Sequence, residues 1–310
     1  MSIRFEEALA ATVASIPHGK VATCGVVART LGDVRAARAV AEWLAERPYL
    51  DPGGQVVRAD GRPVLSRAGA PLPARSRESP PRPADRGAFV DRLDGPSLLS
   101  DLRNEQVRLA AQVRERDGPL SVRTLGGVDV AYMGQKGIAA AALLDATTLE
   151  VLETAVRTVD VDFPYIPSYL AFREFPAVRE AVRGLSRTPD LLFVDGHGRL
   201  HPALFGFACF AGVSLDLPTI GVAKHPLAGT PRPTQSTEDG AIPIELQGEV
   251  RGYAWRPPRA SRAFYVSVGH RLSLENALAW ARASTRDHYP EPLRVADRLS
   301  KEAKGSRPGR

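Results

Sequence analysis

The chain has 310 residues, with 41 Lys and Arg against 35 Asp and Glu, a formal charge of +6. Its two cysteines, Cys24 and Cys209, lie far apart without metal-ligand spacing, so no disulfide framework or zinc site is implied. No apolar run approaches the ~18 residues of a membrane span, and the charged start, Met1-Ser-Ile-Arg-Phe-Glu-Glu, lacks a signal-peptide core; a cytoplasmic, monomeric protein without membrane contact is expected. An Arg-rich surface favours phosphate-bearing partners.

In chain order, Ile3, Phe5, Leu9, Val13 and Ile16 recur at helical spacing, and Pro17-His18-Gly19 stops that helix. A short helix is expected over 25–31, a turn at Gly32-Asp33, and a third helix over 35–46 with Arg35 and Arg38 projecting from its first turns. A strand pair through Val56-Val57 and Val64, closed by a hairpin at Ala59-Asp60-Gly61-Arg62, completes a small winged helix-turn-helix domain over 1–65. The pattern alone fits a small helical adaptor domain with a charged face equally well. Residues 66–97 are crowded with Pro, Arg, Gly and Ala, lack apolar periodicity, and read as a semi-extended tether.

A second domain is expected over 98–300. An amphipathic helix spans 98–116, followed by strands near 122–132, 137–145 and 149–159. Ser168 is placed to cap a helix that Pro176 should end at Phe175, which puts Glu174 in its last turn. Leu191 to Val194 is an unbroken apolar run, as in a strand buried on both faces, and it delivers Asp195 at its C-terminal end beside Gly196 and Gly198. Three strands, a helix and a buried strand is the order of a ribonuclease H-like α/β fold, a mixed sheet with flanking helices, in which the first and fourth strands are parallel neighbours. Asp129 and Asp195 then meet, Glu174 supplies a third oxygen donor, and such a hard-oxygen set suits Mg²⁺, with Mn²⁺ as substitute. Residues 301–310 form a basic tail expected to be disordered.

Two resemblances sharpen this. Ile16-Pro-His-Gly-Lys-Val-Ala-Thr, Ala36-Ala-Arg-Ala-Val and Val56-Val-Arg-Ala-Asp-Gly-Arg resemble the DNA-binding domain of O6-alkylguanine-DNA alkyltransferases and alkyltransferase-like proteins. The likeness implies that Arg38 fills the gap left by a flipped nucleotide. Where those families carry Pro-Cys-His-Arg-Val or Pro-Trp-His-Arg-Val this chain has Pro52-Gly53-Gly54-Gln55-Val56, so no thiol accepts an alkyl group. A Tyr common in the family is replaced by Cys24, read as a buried apolar residue.

Gly127-Val-Asp-Val-Ala-Tyr, Pro164-Tyr-Ile-Pro-Ser-Tyr-Leu-Ala-Phe-Arg-Glu, Pro189-Asp-Leu-Leu-Phe-Val-Asp-Gly-His-Gly, His201-Pro, Pro218-Thr-Ile-Gly-Val-Ala-Lys and Gly269-His-Arg-Leu-Ser-Leu-Glu-Asn-Ala-Leu are similar to endonuclease V. That family cleaves nucleic acid near deaminated bases, chiefly inosine, at the second phosphodiester bond on the 3′ side of the lesion. The resemblance makes Asp129, Glu174 and Asp195 metal ligands. It makes Pro164, Tyr165, Ile166 and Pro167 a strand-separating wedge in which Tyr165 stacks where the flipped base was. Gly196 and Leu170 match positions lining the base pocket. His201 and Lys224 match residues near the scissile phosphate, and His270 one close to the metal; from spacing alone they read as a turn-capping His and a strand-ending Lys. Ser168, Ala203 and Phe210 depart from the family's usual residues without removing a ligand. The implied partner is DNA bearing a deaminated base, with RNA left open. A non-catalytic lesion clamp and a resolvase-like metal nuclease are the competing readings.

Overall fold

The computed structural model describes residues 4–64, 89–118 and 121–305. It divides into two compact units, residues 1–105 with 162–167, and 106–161 with 168–310.

In the first unit, α1 (Phe5–Ala14) buries Phe5, Leu9 and Val13. A two-residue β1 (Ala22–Thr23) leads directly into α2 (Cys24–Thr30), capped by the Thr23 hydroxyl, which accepts from Val26 N at 3.2 Å. α3 (Ala37–Glu46) follows a single 3-10 turn at Val34–Ala36 and buries Val40, Trp43 and Leu44. The paired strands differ from expectation. β2 (Val56–Val57) pairs in parallel with β1, while the wing survives as one bridge, Val57 to Pro63, and an Arg58 N to Arg62 O bond of 2.8 Å. Pro63 has no N–H to donate, so the ladder cannot extend on that side. Residues 65–88, most of the expected tether, lie outside the described residues. The rest of the tether packs as part of the first unit. Phe89 bridges Val21, Leu93 is buried, and Leu99 N donates to Leu31 O at 2.7 Å. The first helix after it, α4 (Leu98–Ala110), is shorter than expected, and the division between the units falls within it.

The second unit is built on a nine-stranded mixed sheet. β3 (Thr124–Met133), β4 (Lys136–Asp145) and β5 (Val151–Asp160) form an antiparallel meander, as expected. α5 (Leu170–Arg183) then crosses to β6 (Leu191–Asp195), which lies parallel to β3, and α6 (Phe207–Leu215) crosses to β7 (Thr219–Ala223), parallel to β6. β8 (Thr230–Pro231), β9 (Ile242–Leu246), β10 (Glu249–Trp255) and β11 (Phe264–His270) extend the sheet in the order β5-β4-β3-β6-β7-β11-β10-β9-β8. α7 (Leu274–Ala283) and α8 (Glu291–Gly305) end the described chain.

Helices cover both faces, so β6 alternates between two cores. Leu191 and Phe193 join the core with Ala277, Leu278 and Leu293, while Leu192 and Val194 join that with Val178, Ala181, Phe207 and Ala211. This is why its four apolar residues are uninterrupted. Ala139 to Ala142 on β4 keep that strand thin enough for helices on either side, with Val178 against one face and Val295 against the other. Among the described residues no helix is long and apolar enough to cross a membrane.

Two expectations about α5 are corrected. It does not end at Phe175 but continues through Pro176 to Arg183. Pro176 is exposed and its ring removes one helical hydrogen bond, a cost of about 3 kcal/mol. Beyond it Ala177, Val178, Ala181 and Val182 are all buried, and their burial offsets that cost. Nor does Ser168 cap the helix: Tyr169 precedes it without a side-chain bond, and Ser168 sits at φ +68°. A left-handed φ of this kind is one that glycine adopts without strain and a serine does not. The expected tail is partly ordered, since α8 runs to Gly305.

Candidate active site

Register builds the site. β3 and β6 pair in parallel with Val128 opposite Val194, so the next residues, Asp129 and Asp195, emerge side by side at the C-terminal ends of adjacent strands. Glu174 comes from the second turn of α5, which packs on β3 and β4. Burial raises the Asp129 carboxyl above the usual range, and the charges of Asp195 and Asp297 raise it further. Glu174 is pushed up to about 8, chiefly by burial and then by the Asp129 and Asp195 charges. The Asp195 charge thus acts on both neighbouring carboxyls, and those two hold their protons more tightly for it.

Each acid is held by a donor from another element. Ser300 on α8 donates to Asp129 Oδ2 at 2.6 Å, and Tyr132 on β3 donates to Glu174 Oε1 at 2.9 Å. Tyr289 donates to Asp195 Oδ1 at 3.2 Å or to Val222 O at the same distance, and the Lys224 ammonium meets Asp195 Oδ2 at 2.7 Å. Burial holds both tyrosines above their ordinary pKa, so they stay neutral donors. Burial alone would lower Lys224, but Asp195, Asp129 and Asp297 overcome it and keep the ammonium charged. Among the described residues no three His, Cys, Asp or Glu side chains are already gathered around one point.

The two histidines of the expected set stand elsewhere. His201 is buried, with Nδ1 accepting from Ala203 N at 3.1 Å, so Nε2 carries the proton and donates to Ser168 O at 3.0 Å. Gln106 donates to the same carbonyl at 2.9 Å, so His201 braces the left-handed turn that opens α5. His270 is not close to the carboxylates. β11 runs antiparallel to β7, and His270 pairs with Thr219 at the start of β7, whereas Asp195 pairs with Val222 near its end. His270 instead accepts from Arg114 N at 3.3 Å, and burial with the Arg114 charge lowers its pKa. Sequence spacing could not tell which end of an antiparallel strand a terminal histidine occupies.

Residues 105–298 match the endonuclease V family, nearly two-thirds of the chain. The chain belongs to the endonuclease V family. It is 43% identical over 206 residues to an endonuclease V of Roseiflexus sp., covering 66% of this chain and 93% of that protein. It is 46% identical over 198 residues to one of Methanopyrus kandleri, covering 63% and 85%. Among solved structures, the Streptomyces avermitilis endonuclease V aligns with TM-score 0.61 at 38% identity, covering 66% and 92%. The catalytic domain of human endonuclease V aligns with TM-score 0.62 at 36%, covering 66% and 95%. A Ciona intestinalis endonuclease V, solved with a 24mer DNA containing an inosine followed by a ribo-adenosine, aligns with TM-score 0.58 at 25%, covering 66% and 97%. Residues 4–76 match the DNA-binding domain of 6-O-methylguanine DNA methyltransferase.

The chain is therefore a nuclease with an appended DNA-binding domain. Its endonuclease V unit contains site residues that sequence reasoning missed: Tyr132, Tyr289, Asp297 and Ser300. Asp297 adds a fourth negative charge acting on Asp129 and Lys224, and Lys301 Nζ pairs with it at 2.7 Å. The signal was an Asp and a Ser three residues apart on one helical face, which nothing linear connects to Asp129, 171 residues before Ser300. Leu170 begins α5 half-buried. The expected wedge, Pro164 to Pro167, falls in the first unit, with Tyr165 60% exposed and Ile166 fully buried. Cys209 is buried and its thiol pushed up to about 12 by burial, while Phe210 packs edge-on against Phe172 and Phe175. Cys209 is a core residue, and half-buried Phe210 packs against the core's edge.

In the first unit, Arg38 projects from α3 with an 89% exposed side chain and pairs with Glu42 at 2.6 Å, while Arg35 forks onto Asp33. Where the acceptor cysteine stands in the alkyltransferases, Gly53 and Gly54 are spanned by the buried Asp51 carboxylate, which accepts from Gln55 N and Val56 N, both at 2.9 Å. The Gln55 amide reaches back to Pro17 O at 3.2 Å and Lys20 O at 3.1 Å. Cys24 is buried and pushed up to about 11, far from a thiolate nucleophile.

Proposed function

We propose that this endonuclease V cleaves DNA containing deaminated bases, chiefly inosine, at the second phosphodiester bond 3′ to the lesion. Asp129, Glu174 and Asp195 hold Mg²⁺, which Mn²⁺ can replace, and the first unit binds DNA without alkyl transfer. The observation that carries this is the parallel register of β3 and β6, which sets Asp129 beside Asp195 under a Glu174 carboxyl raised to about 8. A protein that only clamped DNA gains nothing from clustering costly buried acids.

When bound, the cation supplies Lewis-acid stabilisation of phosphate charge and a more acidic water. The protein's own residues do the rest. Ser300, Tyr132 and Tyr289 fix the carboxylate orientations, so little reorganisation accompanies binding. Lys224 places a fixed positive charge where negative charge grows on the phosphate. In the wedge, exposed Tyr165 offers the aromatic face a flipped base leaves unstacked, and Gly196 and Leu170 line the base pocket with backbone.

RNA is the second reading, because the substrate bound by the Ciona relative carries a ribonucleotide directly after its inosine. One experiment addresses both: cleavage of inosine-containing DNA and RNA, single-stranded and duplex, with Mg²⁺ and with chelator. Cleavage of every inosine substrate in chelator, or of none in Mg²⁺, overturns the proposal.

A further inference from the structure

A cavity of about 580 Å³ opens beside Lys224 and Tyr289, the two residues that bond Asp195, and lies within the size range of ligand clefts, roughly 300–1,000 Å³. One wall is Lys224, Tyr289 and Asp297, the residues that touch or electrostatically act on Asp195 and Asp129. Residues 259–263 of the loop between β10 and β11 also line the cavity, bringing Arg259 and Arg262. Lys301 and Arg294 add positive charge from α8.

The pairing of these cations distinguishes them. Lys224 is committed to Asp195, Lys301 to Asp297, and Arg294 to Glu291 and Asp287. Arg259 and Arg262 make no ion pair among the described residues, although arginines elsewhere on the same sheet do, Arg232 with Glu245 and Arg251 with Glu115 and Glu249. Both are exposed and face a cavity whose one carboxylate, Asp297, is already neutralised by Lys301. Their loop is also restrained: Pro257 and Pro258 fix two φ angles, and Ala260 N closes a turn on Pro257 O at 3.0 Å. Two uncompensated guanidiniums on a stiff loop are suited to an anion with fixed spacing, and guanidinium matches phosphate by paired N–H donors.

We infer that this cleft is a phosphate track, in which Arg259 and Arg262 hold the phosphodiesters next to the cleaved bond on the strand that leaves the carboxylates past Lys224. It rests on the nuclease reading for where the strand starts. The track reads backbone and not base, so it contributes affinity equally with and without a lesion.

The test uses the full-length chain in chelator, with binding to a short single-stranded DNA carrying inosine or adenine followed by anisotropy across a salt series. Arg259→Gln/Arg262→Gln should make the plot of log affinity against log salt shallower by about 1.4, two contacts at roughly 0.7 each, for both oligonucleotides. Arg259→Lys/Arg262→Lys should keep the slope, and matched melting temperatures establish that all three proteins are folded. Replacing single phosphates by uncharged methylphosphonates should weaken the unsubstituted protein at one or two positions within two of the cleaved bond, and the Gln variant should be insensitive there. An unchanged slope, a loss confined to the inosine strand, or unaltered sensitivity at every phosphate overturns the track. Because binding is read without turnover, failure of cleavage in Mg²⁺ would count against the nuclease reading alone.

Discussion

Gly127→Ala is the most telling single change in the endonuclease V unit. Gly127 lies on β3 two residues before Asp129, where α8 crosses, and a methyl group there would stand 2.0 Å from Pro292 O and 2.2 Å from its carbonyl carbon. Cβ atoms in real structures essentially never approach within 3.0 Å, and the obstacle is backbone, so α8 must retreat by about 1 Å or more. α8 also carries Ser300, whose bond to Asp129 is 2.6 Å; a retreat of that size along the same direction lengthens it to about 3.6 Å, where it no longer counts as a hydrogen bond. Overpacking costs about 1–3 kcal/mol, which for a unit of this size is roughly 2–12 °C in melting temperature. A displacement of 1 Å at the site can lower the rate by about 10²-fold. Thermal denaturation and single-turnover cleavage of inosine DNA measure the two effects separately. A Gly127→Ala protein that melts and cleaves like the parent would refute the claim that close strand-helix contact sets the position of Ser300 and Asp297.

Four further outcomes are expected. Asp129→Ala and Asp195→Ala should each abolish nicking while retaining inosine-DNA binding measured by gel shift, because phosphate contacts dominate affinity; substantial nicking by either purified variant contradicts the ligand assignment. Glu174 holds its proton up to about 8 in the folded chain against about 4.5 unfolded, so the stability it contributes is full below pH 4.5 and lost as pH rises through 8. In chelator the melting temperature should therefore fall from pH 5 to 9, and Glu174→Gln should flatten that fall. Tyr165→Ala should reduce the preference for inosine over adenine, stacking being worth about 1–3 kcal/mol per base; an unchanged preference in competition binding contradicts the wedge. Arg38→Ala should lower the salt slope of duplex binding by about 1, and no methyl group should pass from O6-methylguanine DNA to the protein by radiolabel transfer.

Much of this protein is legible along the chain because its signals are local. An unbroken Leu191 to Val194 ending in Asp195 marks a doubly buried strand, and the Pro17-His18-Gly19 stop and the Gly32-Asp33 turn mark the small helices. Three predicted strands, a helix and a buried strand are enough to place Asp129 beside Asp195, because connections between parallel neighbours are few. Set against the alkyltransferase motif it resembles, the chain carries glycines at 53 and 54, so no acceptor thiol stands there.

What only the tertiary structure decided depends on partners distant in sequence. The α5 helix passes through Pro176 because the core behind it outweighs a propensity that local reading weighs alone. The 89–97 segment packs against Val21 through Phe89 and Val90, though its composition resembles a tether. His270 lies at the wrong end of the sheet because strand direction is set by pairing, not by motif order. Asp297 and Ser300 reach Asp129 only because α8 folds back across β3 at Gly127, a closeness that the absence of one methyl group permits and that no linear pattern records.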